Sequence, residues 1–305
     1  MSVDSAYQAL AAIPGVDIRR DEPMARHTTF RIGGPADLYI TCDTTASLGA
    51  ALEALIAGEV PYVVAGKGSN LLVADSGYRG AVLVLGKDFK RHVCEDGRVR
   101  AGGACILAYL VQDAFSKGLG GLEFAVGVPG TLGGALAMNA GSREAWIGAV
   151  TESVTLYVPG EGLVRLRGDE VPWGYRKSGL PSIGVIVEAE LRLTPSEPGR
   201  IRDEMERGLT RRKQSQPMGA ASAGSVFVNP EGESAGRLIE SVGLKGTRLG
   251  GAMISDVHAN FIVNDGGATA ANVLGLISKI RTSVRDRYGI ELQPEVRFLG
   301  EFREP

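Results

Sequence analysis

Between Glu123 and Gly141 the chain runs through nineteen residues containing five glycines and a single charge, Glu123. Residues without a Cβ permit positive φ and close approach of main chains. Pro129 fixes one turn, and its neighbours keep N–H groups that can face phosphate or carbonyl oxygens. A tightly packed turn would use the same composition, so the segment alone does not decide between ligand and packing. A second segment, Val63 to Val73, tips the balance: an apolar run opens into Gly66-Lys67-Gly68-Ser69-Asn70 and closes into another apolar run from Leu71. Two such loops can grip one nucleotide. The dinucleotide fingerprint is not met, because Leu71 stands where the third glycine belongs and the residues after it read as strand rather than helix. No G-x-x-x-x-G-K-[ST] phosphate loop occurs, which argues against an ordinary nucleotide triphosphatase.

The remaining composition is that of a globular enzyme. With 44% hydrophobic and 22% charged residues and a net charge of -2, the 305-residue chain gives no sign of disorder or of polyanion binding, so nucleic acid is excluded as an expected partner. The 43 glycines are about twice the average usage. Cys42, Cys94 and Cys105 lack both C-x-x-C spacing and a disulfide framework, which fits a reducing, cytoplasmic setting. His92 and Cys94 with the distant Cys105 make no credible zinc set, and no metal is expected. No signal-peptide core and no apolar run near 18 residues is present, so no membrane is expected.

Periodicity predicts an α+β chain. Helical spacing covers Ala46 to Ala57, Cys105 to Lys117, Ile201 to Gln214, Ala235 to Val242 and Ala270 to Tyr288. Strand-like runs cover Pro61 to Ala65, Ala81 to Leu85, Val150 to Val158, Ile183 to Leu193, Ser225 to Val228, Asn260 to Val263 and Val296 to Leu299. Thr194 to Arg200, with two prolines, is the clearest linker signal and sets a domain boundary. No internal repeat or low-complexity tract is found.

Polar clusters sit in glycine-rich or apolar surroundings at Gly174–Gly179, Ala223–Pro230, Ser255–Phe261 and Leu292–Val296. Each alone reads more readily as a turn serine, a surface cation, a capping carboxylate or a structural histidine than as a site. No G-x-S-x-G elbow accompanies the serines, so nucleophilic acyl chemistry is not supported.

Taken in order, His27-Thr28-Thr29-Phe30-Arg31-Ile32-Gly33-Gly34, Gly66-Lys67-Gly68-Ser69-Asn70-Leu71-Leu72, Gly127 to Ala135, Met138-Asn139-Ala140-Gly141, Tyr175-Arg176-Lys177-Ser178, Ala223-Gly224-Ser225-Val226-Phe227 and Pro294-Glu295-Val296 resemble the UDP-N-acetylenolpyruvoylglucosamine reductase family over nearly the whole chain. The resemblance implies a two-part FAD-binding fold of the vanillyl-alcohol-oxidase type plus a C-terminal α/β substrate-binding domain. The expected bounds are 1–86 and 87–198 for the two FAD-binding parts and 199–305 for the domain that closes over a UDP-sugar. It implies FAD as cofactor and NADPH as co-substrate in reducing an enolpyruvyl ether to UDP-N-acetylmuramate for peptidoglycan synthesis. The partner is a small molecule, and no obligate protein partner is indicated.

By motif, the cofactor contacts fall on Gly66, Lys67, Gly68, Ser69, Asn70, Leu71, Val128, Pro129, Gly130, Thr131, Gly133, Gly134, Asn139, Ala140 and Gly141. Substrate contacts fall on Tyr175, Arg176, Asn229, His258 and Asn260. The resemblance assigns the general acid to Ser225 and support of the developing enolate to Arg176 and Glu295. The residue types suit that chemistry: hydride from reduced flavin N5 adds to the β-carbon of an enol ether conjugated to a carboxylate, and charge then collects on the carboxylate. Arg176 offers planar donors to those oxygens, Glu295 can add a hydrogen bond, and Ser225 supplies a proton to the α-carbon. The short connection from Arg176 to Ile183 resembles the family subtype without an inserted tyrosine loop. Val228 stands where the family commonly has lysine, so that anion contact is either absent or supplied by Lys245, Arg248 or another cation. Ser142-Arg143-Glu144 also departs from the usual continuation after Gly141. A flavin oxidase of the same fold and a nucleotide-binding protein without catalysis are the alternatives, and the set Ser225, Arg176, Glu295 favours enol-ether reduction over both.

Overall fold

The computed structural model describes residues 3–302. The outermost residues of the expected first and last domains therefore lie outside the described residues. The chain clusters into two compact units, one of them holding the residues up to Arg20, Leu38–Lys67 and Gly80–Thr210, the other Asp21–Asp37, Gly68–Arg79 and the residues from Arg211 onward.

Among the described residues, the first unit carries two core clusters. In one, the strands Val16–Pro23, Pro35–Cys42, Tyr78–Leu85 and Tyr62–Val64 form a four-stranded sheet in that order. Pro35–Cys42 alternates strictly, with Ala36, Leu38, Ile40 and Cys42 inward, as a half-buried strand must. Against Leu38, Ile40 and Cys42 packs the helix Thr45–Ala57, whose start is set by a reciprocal cap: Ser47 N–H donates to Thr44 Oγ1 at 3.1 Å and Thr44 N–H to Ser47 Oγ at 3.0 Å. Leu48, Leu52 and Leu55 are fully buried from that helix, each contributing about 1.5–3 kcal/mol of transfer free energy.

The other cluster lies under an antiparallel sheet ordered Gly162–Arg167, Thr151–Val158, Val185–Arg192, Arg98–Gly102, His92–Glu95. One face sends Val99, Ala101, Val154, Leu156, Ala189 and Leu191 into the core with the helix Leu107–Ser116. The opposite face is charged, with Glu152 bridging Arg98 and Arg192 and Glu190 bridging Arg100 and Arg165.

The second unit is built around the helix Ala270–Tyr288. Its buried positions Ala270, Val273, Leu276, Ile277, Ile280 and Val284 follow the 3.6-residue period, Thr269 and Asn272 form its capping box, and Gly289 ends it at φ 67°. A second brace comes from far away in sequence: Asp75 accepts from Ala270 N–H at 2.7 Å and Ala271 N–H at 2.9 Å. A small sheet, Arg248–Leu249, Ala252–Ile254 and Ile262–Asn264, and a parallel pair, Leu71–Val73 with Arg297–Leu299, complete this unit's strands.

Several expectations need correcting. Val150 and Ile183 end the short helices Ile147–Val150 and Leu180–Ile183 rather than opening strands. Ser225 to Val228 is not a strand, for it makes only isolated bridges, Ser225 to Phe261 and Phe227 to Pro294. The helix expected from Ile201 starts three residues earlier, as Pro198–Ser215, inside the stretch Thr194 to Arg200, where Thr194 and Pro195 pair with Gly120 and Leu119. Part of the glycine-rich segment is also helical, Leu132–Ala137, because Thr131 caps it and Gly133 permits close packing. A Cβ on Gly133 would lie 2.9 Å from Gly103 O.

Candidate functional site

In the first unit the two glycine-rich segments lie side by side, since a Cβ on Gly66 would meet Thr131 Oγ1 at 2.5 Å. The first-turn amides of the short helix are consumed within the protein. Leu132 N–H donates to Cys105 O at 2.9 Å, Gly133 N–H to Gly103 O at 2.8 Å and Gly134 N–H to Thr131 Oγ1 at 3.3 Å. Among the described residues, no protein acceptor takes the N–H of Gly66, Lys67, Gly130 or Thr131. These four amides are able to donate to an anionic ligand, whereas those of Gly133 and Gly134 already have protein acceptors. Val128 packs against the core, its N–H donating to Ala125 O at 3.0 Å, and Pro129 is exposed.

The same unit brings Asn139 to Gly141 against the turn that carries Arg176. Gly174 and Lys177 exchange both main-chain hydrogen bonds, at 2.9 and 3.2 Å, so Tyr175 and Arg176 form the tip of a two-residue hairpin. Asn139 donates through Nδ2 to Gly174 O at 2.9 Å and accepts Gly148 N–H on Oδ1 at 3.2 Å. Ala140 accepts Ile147 N–H at 2.9 Å. Arg176 Nη1 donates to Gly141 O at 2.6 Å, and its Nε is buried. The Arg176 and Arg143 guanidiniums each lie 5.5 Å from the Tyr175 ring centroid, within cation–π range. Arg176 takes φ 57° and Asn139 φ 42°. A left-handed arginine is uncommon and is held only where its surroundings over-determine it.

The second unit gathers the remaining predicted residues. Asn260 is 3% exposed and its amide is fully engaged with Phe227: Oδ1 accepts Phe227 N–H at 2.9 Å and Nδ2 donates to Phe227 O at 2.8 Å. Its main-chain carbonyl accepts Val226 N–H at 2.8 Å, so Asn260 holds the residues directly after Ser225. Asn260 N–H in turn donates to His258 Nδ1 at 3.1 Å, which requires that nitrogen to be unprotonated. His258 leans on the Phe261 ring and over Gly236, where a Cβ would come within 2.7 Å of Cε1. Burial first, and the Lys245 charge second, hold the His258 pKa below its ordinary value. Glu295 joins the same cluster through Glu295 N–H to Val226 O at 2.7 Å.

Asn70, Ser69 and Leu71, expected at a cofactor, belong to this unit. Leu71 pairs with Arg297, and Asn70 Nδ2 donates to Glu295 O at 3.0 Å. Gly68 takes φ 62° with no room for a Cβ, which would lie 2.2 Å from His27 O. Asn229 is exposed, and its Oδ1 accepts Ala235 N–H at 3.0 Å at the start of the helix Ala235–Ser241. Lys245 and Arg248, the cations expected in place of a lysine at Val228, each have a carboxylate partner, Glu240 and Asp265 respectively.

Sequence reasoning missed the work done by His27 to Gly34, because no local signal points to it. Thr29 Oγ1 donates to Ser222 O at 2.7 Å and Asn264 Nδ2 to Phe30 O at 3.1 Å, so this motif braces the loop that leads into Ser225. The three cysteines are buried and free, with Cys42 pushed up to about 12 and Cys105 to about 11 by burial. Among the described residues no group of three His, Cys, Asp or Glu could hold a metal, and no helix is long and apolar enough to cross a membrane.

Comparison with known proteins adds to this geometry. A family model described as UDP-N-acetylenolpyruvoylglucosamine reductase, C-terminal domain, matches residues 216–299, and one described as FAD binding domain matches residues 36–163. A UDP-N-acetylenolpyruvoylglucosamine reductase from Heliobacterium modesticaldum is 46% identical over 288 residues, which is 92% of this chain and 90% of that protein. One from Geobacter metallireducens is 44% identical over 298 residues, 98% of this chain and 99% of that protein. Among solved structures, the UDP-N-acetylenolpyruvylglucosamine reductase from Thermus caldophilus is similar with a TM-score of 0.82 and 36% identity, covering 93% of this chain and 99% of that one.

Proposed function

This chain belongs to the UDP-N-acetylenolpyruvoylglucosamine reductase family, and we propose that it reduces UDP-N-acetylglucosamine enolpyruvate to UDP-N-acetylmuramate with NADPH as electron source. It is a flavoprotein oxidoreductase of peptidoglycan synthesis with FAD as its cofactor. The residues of the first unit fit that group: the N–H groups of Gly66, Lys67, Gly130 and Thr131 suit a pyrophosphate, and the glycines leave main chain accessible. When bound there and reduced by NADPH, the flavin would supply the hydride chemistry for the β-carbon of the enol ether.

The protein's own part is electrostatic and protonic. Arg176 meets the negative charge gathering on the substrate carboxylate, preorganised by the Gly141 carbonyl and the Tyr175 ring. Glu295 adds a hydrogen bond to the same charge. Ser225 gives its hydroxyl proton to the α-carbon and is reprotonated afterwards, a step in which a positioned acid contributes about 10²–10⁴-fold. The observation that best supports this assignment is the 2.7 Å bond from Glu295 N–H to Val226 O, which ties the carboxylate-bearing residue to the neighbour of Ser225.

We further propose that the chain works as three parts, 1–86 and 87–198 for FAD and 199–305 for the UDP-sugar. Of the first unit's two core clusters, one draws mainly on residues up to Leu85, joined by Phe89, Val185 and Val187, and the other on residues from Cys94 onward, which supports the first division in outline. The free, buried cysteines suit the reducing conditions of the cytoplasm, where we place the reaction.

The test is visible absorbance under anaerobic conditions. The flavin band should bleach with NADPH and return on addition of the enolpyruvyl substrate. In a Ser225→Ala variant bleaching should persist while the return slows at least ~100-fold. A band that returns only with oxygen would favour an oxidase, and a Ser225→Ala variant with both half-reactions unchanged would remove Ser225 from the mechanism.

A further inference from the structure

Asn70 sits in a loop whose glycines point to a cofactor, yet its bonds run to the other end of the chain. Nδ2 donates to Glu295 O at 3.0 Å, and the Asn70 carbonyl accepts Arg297 N–H at 2.9 Å. The parallel pairing then continues as Leu71 with Arg297, Leu72 with Phe298 and Val73 with Leu299. Asn70 thus extends this ladder by one step, with its side chain taking the place of a main-chain donor.

The consequence falls on Glu295. Its N–H is held by Val226 O at 2.7 Å and its C=O by Asn70 Nδ2, so both polar groups of its backbone are fixed from opposite neighbours. The main chain of Glu295 is therefore held before any ligand arrives. A misplacement of about 1 Å at such a residue can cost on the order of 100-fold in rate. We propose that Asn70 is a positioning residue for Glu295, acting through the Nδ2 bond to the Glu295 carbonyl. The proposal rests on the role given to Glu295 above. An aspartate at this place would keep the shape but put an acceptor against an acceptor, so Asn70→Asp isolates the bond from the volume.

The test uses the FAD-loaded protein and the variants Asn70→Asp, Asn70→Ser, Glu295→Gln and Asn70→Asp with Glu295→Gln. With the protein saturated in FAD and reduced beforehand, reoxidation by the enolpyruvyl substrate should slow roughly 10–100-fold in Asn70→Asp. The double variant should be no slower than Glu295→Gln alone, because a residue that acts through another adds nothing once that one is gone. Hydrogen exchange over residues 292–297 should quicken in Asn70→Asp and Asn70→Ser while the helix Ala270–Tyr288 keeps its protection. Additive losses in the double variant, or reoxidation of Asn70→Asp within about twofold of the parent, would overturn the proposal. If the parent protein's flavin is not reoxidised by the substrate, the functional assignment fails on its own. Unchanged exchange at 292–297 would then refute the Asn70 tie independently.

Discussion

Replacing Asn260 by alanine tests whether one buried amide holds the Ser225 loop. The substitution leaves the Val226 N–H bond to the residue 260 carbonyl intact, since that is main chain, and removes the two side-chain bonds to Phe227 of 2.9 and 2.8 Å. Phe227 is 1% exposed and Asn260 3%, so water does not readily replace the lost partners. Orphaning a buried donor and a buried acceptor costs about 1–3 kcal/mol each, which gives about 2–6 kcal/mol for the pair. That is a large share of the roughly 5–15 kcal/mol that typically holds a domain. Urea unfolding followed by circular dichroism should show a lower midpoint with the slope unchanged, and the loss should exceed about 2 kcal/mol. Asn260→Asp keeps an acceptor for Phe227 N–H but buries a charge against Phe227 O, so it should be no better than alanine. A loss below about 1 kcal/mol in Asn260→Ala, with the rate of substrate reoxidation unaltered, would refute the view that this amide fixes the loop.

The same geometry sets three further outcomes. The lowered pKa of His258 means that its folded form resists protonation, so its contribution is complete above about pH 6.5 and is lost as pH falls below that value. His258→Asn should flatten the decline of stability just below pH 6.5, read by thermal melting across pH. Glu152, held at about 2 by Arg98 and then Arg192, has a depressed pKa, so its contribution is present above about pH 4.5 and lost as pH falls through about 2. Glu152→Gln should remove that part of the acid limb in an acid titration followed by circular dichroism. Asp75→Ala removes the acceptor of two amides at the start of the long helix. It should cost about 1–2 kcal/mol and speed hydrogen exchange at Ala270 and Ala271, with Asp75→Asn recovering part of the loss.

Elements whose signals are local are legible in the sequence. Periodicity predicts the helix Ala270–Tyr288 with the ends the structure shows, because its 3.6-residue period is carried within the segment itself. Val16–Pro23 gives no strand signal for the opposite reason. It carries Asp17, Arg19, Arg20, Asp21 and Glu22, and such a charged run becomes an edge strand only because Pro35–Cys42 lies beside it. Ser225 to Val228 has the composition of a strand, but its main chain is bound by Asn260, Gln293 and Glu295 rather than by a ladder.

The site divides along the same line. That the motifs with Arg176, Ser225 and Glu295 belong to one family is readable from residue order alone. What each neighbouring asparagine does is not, because an asparagine's task depends on which carbonyl and amide the fold brings to it. Asn139, Asn260 and Asn70 all stand in or beside polar, glycine-rich stretches and all invite assignment to a ligand. In the structure Asn139 ties the turn of Arg176 to its neighbouring loop, Asn260 grips the peptide two residues after Ser225, and Asn70 holds Glu295. A short side chain with both a donor and an acceptor can replace a missing peptide bond partner wherever no regular ladder reaches. Each residue proposed for the chemistry therefore sits on irregular backbone with such an amide bonded to its own or a neighbouring peptide group.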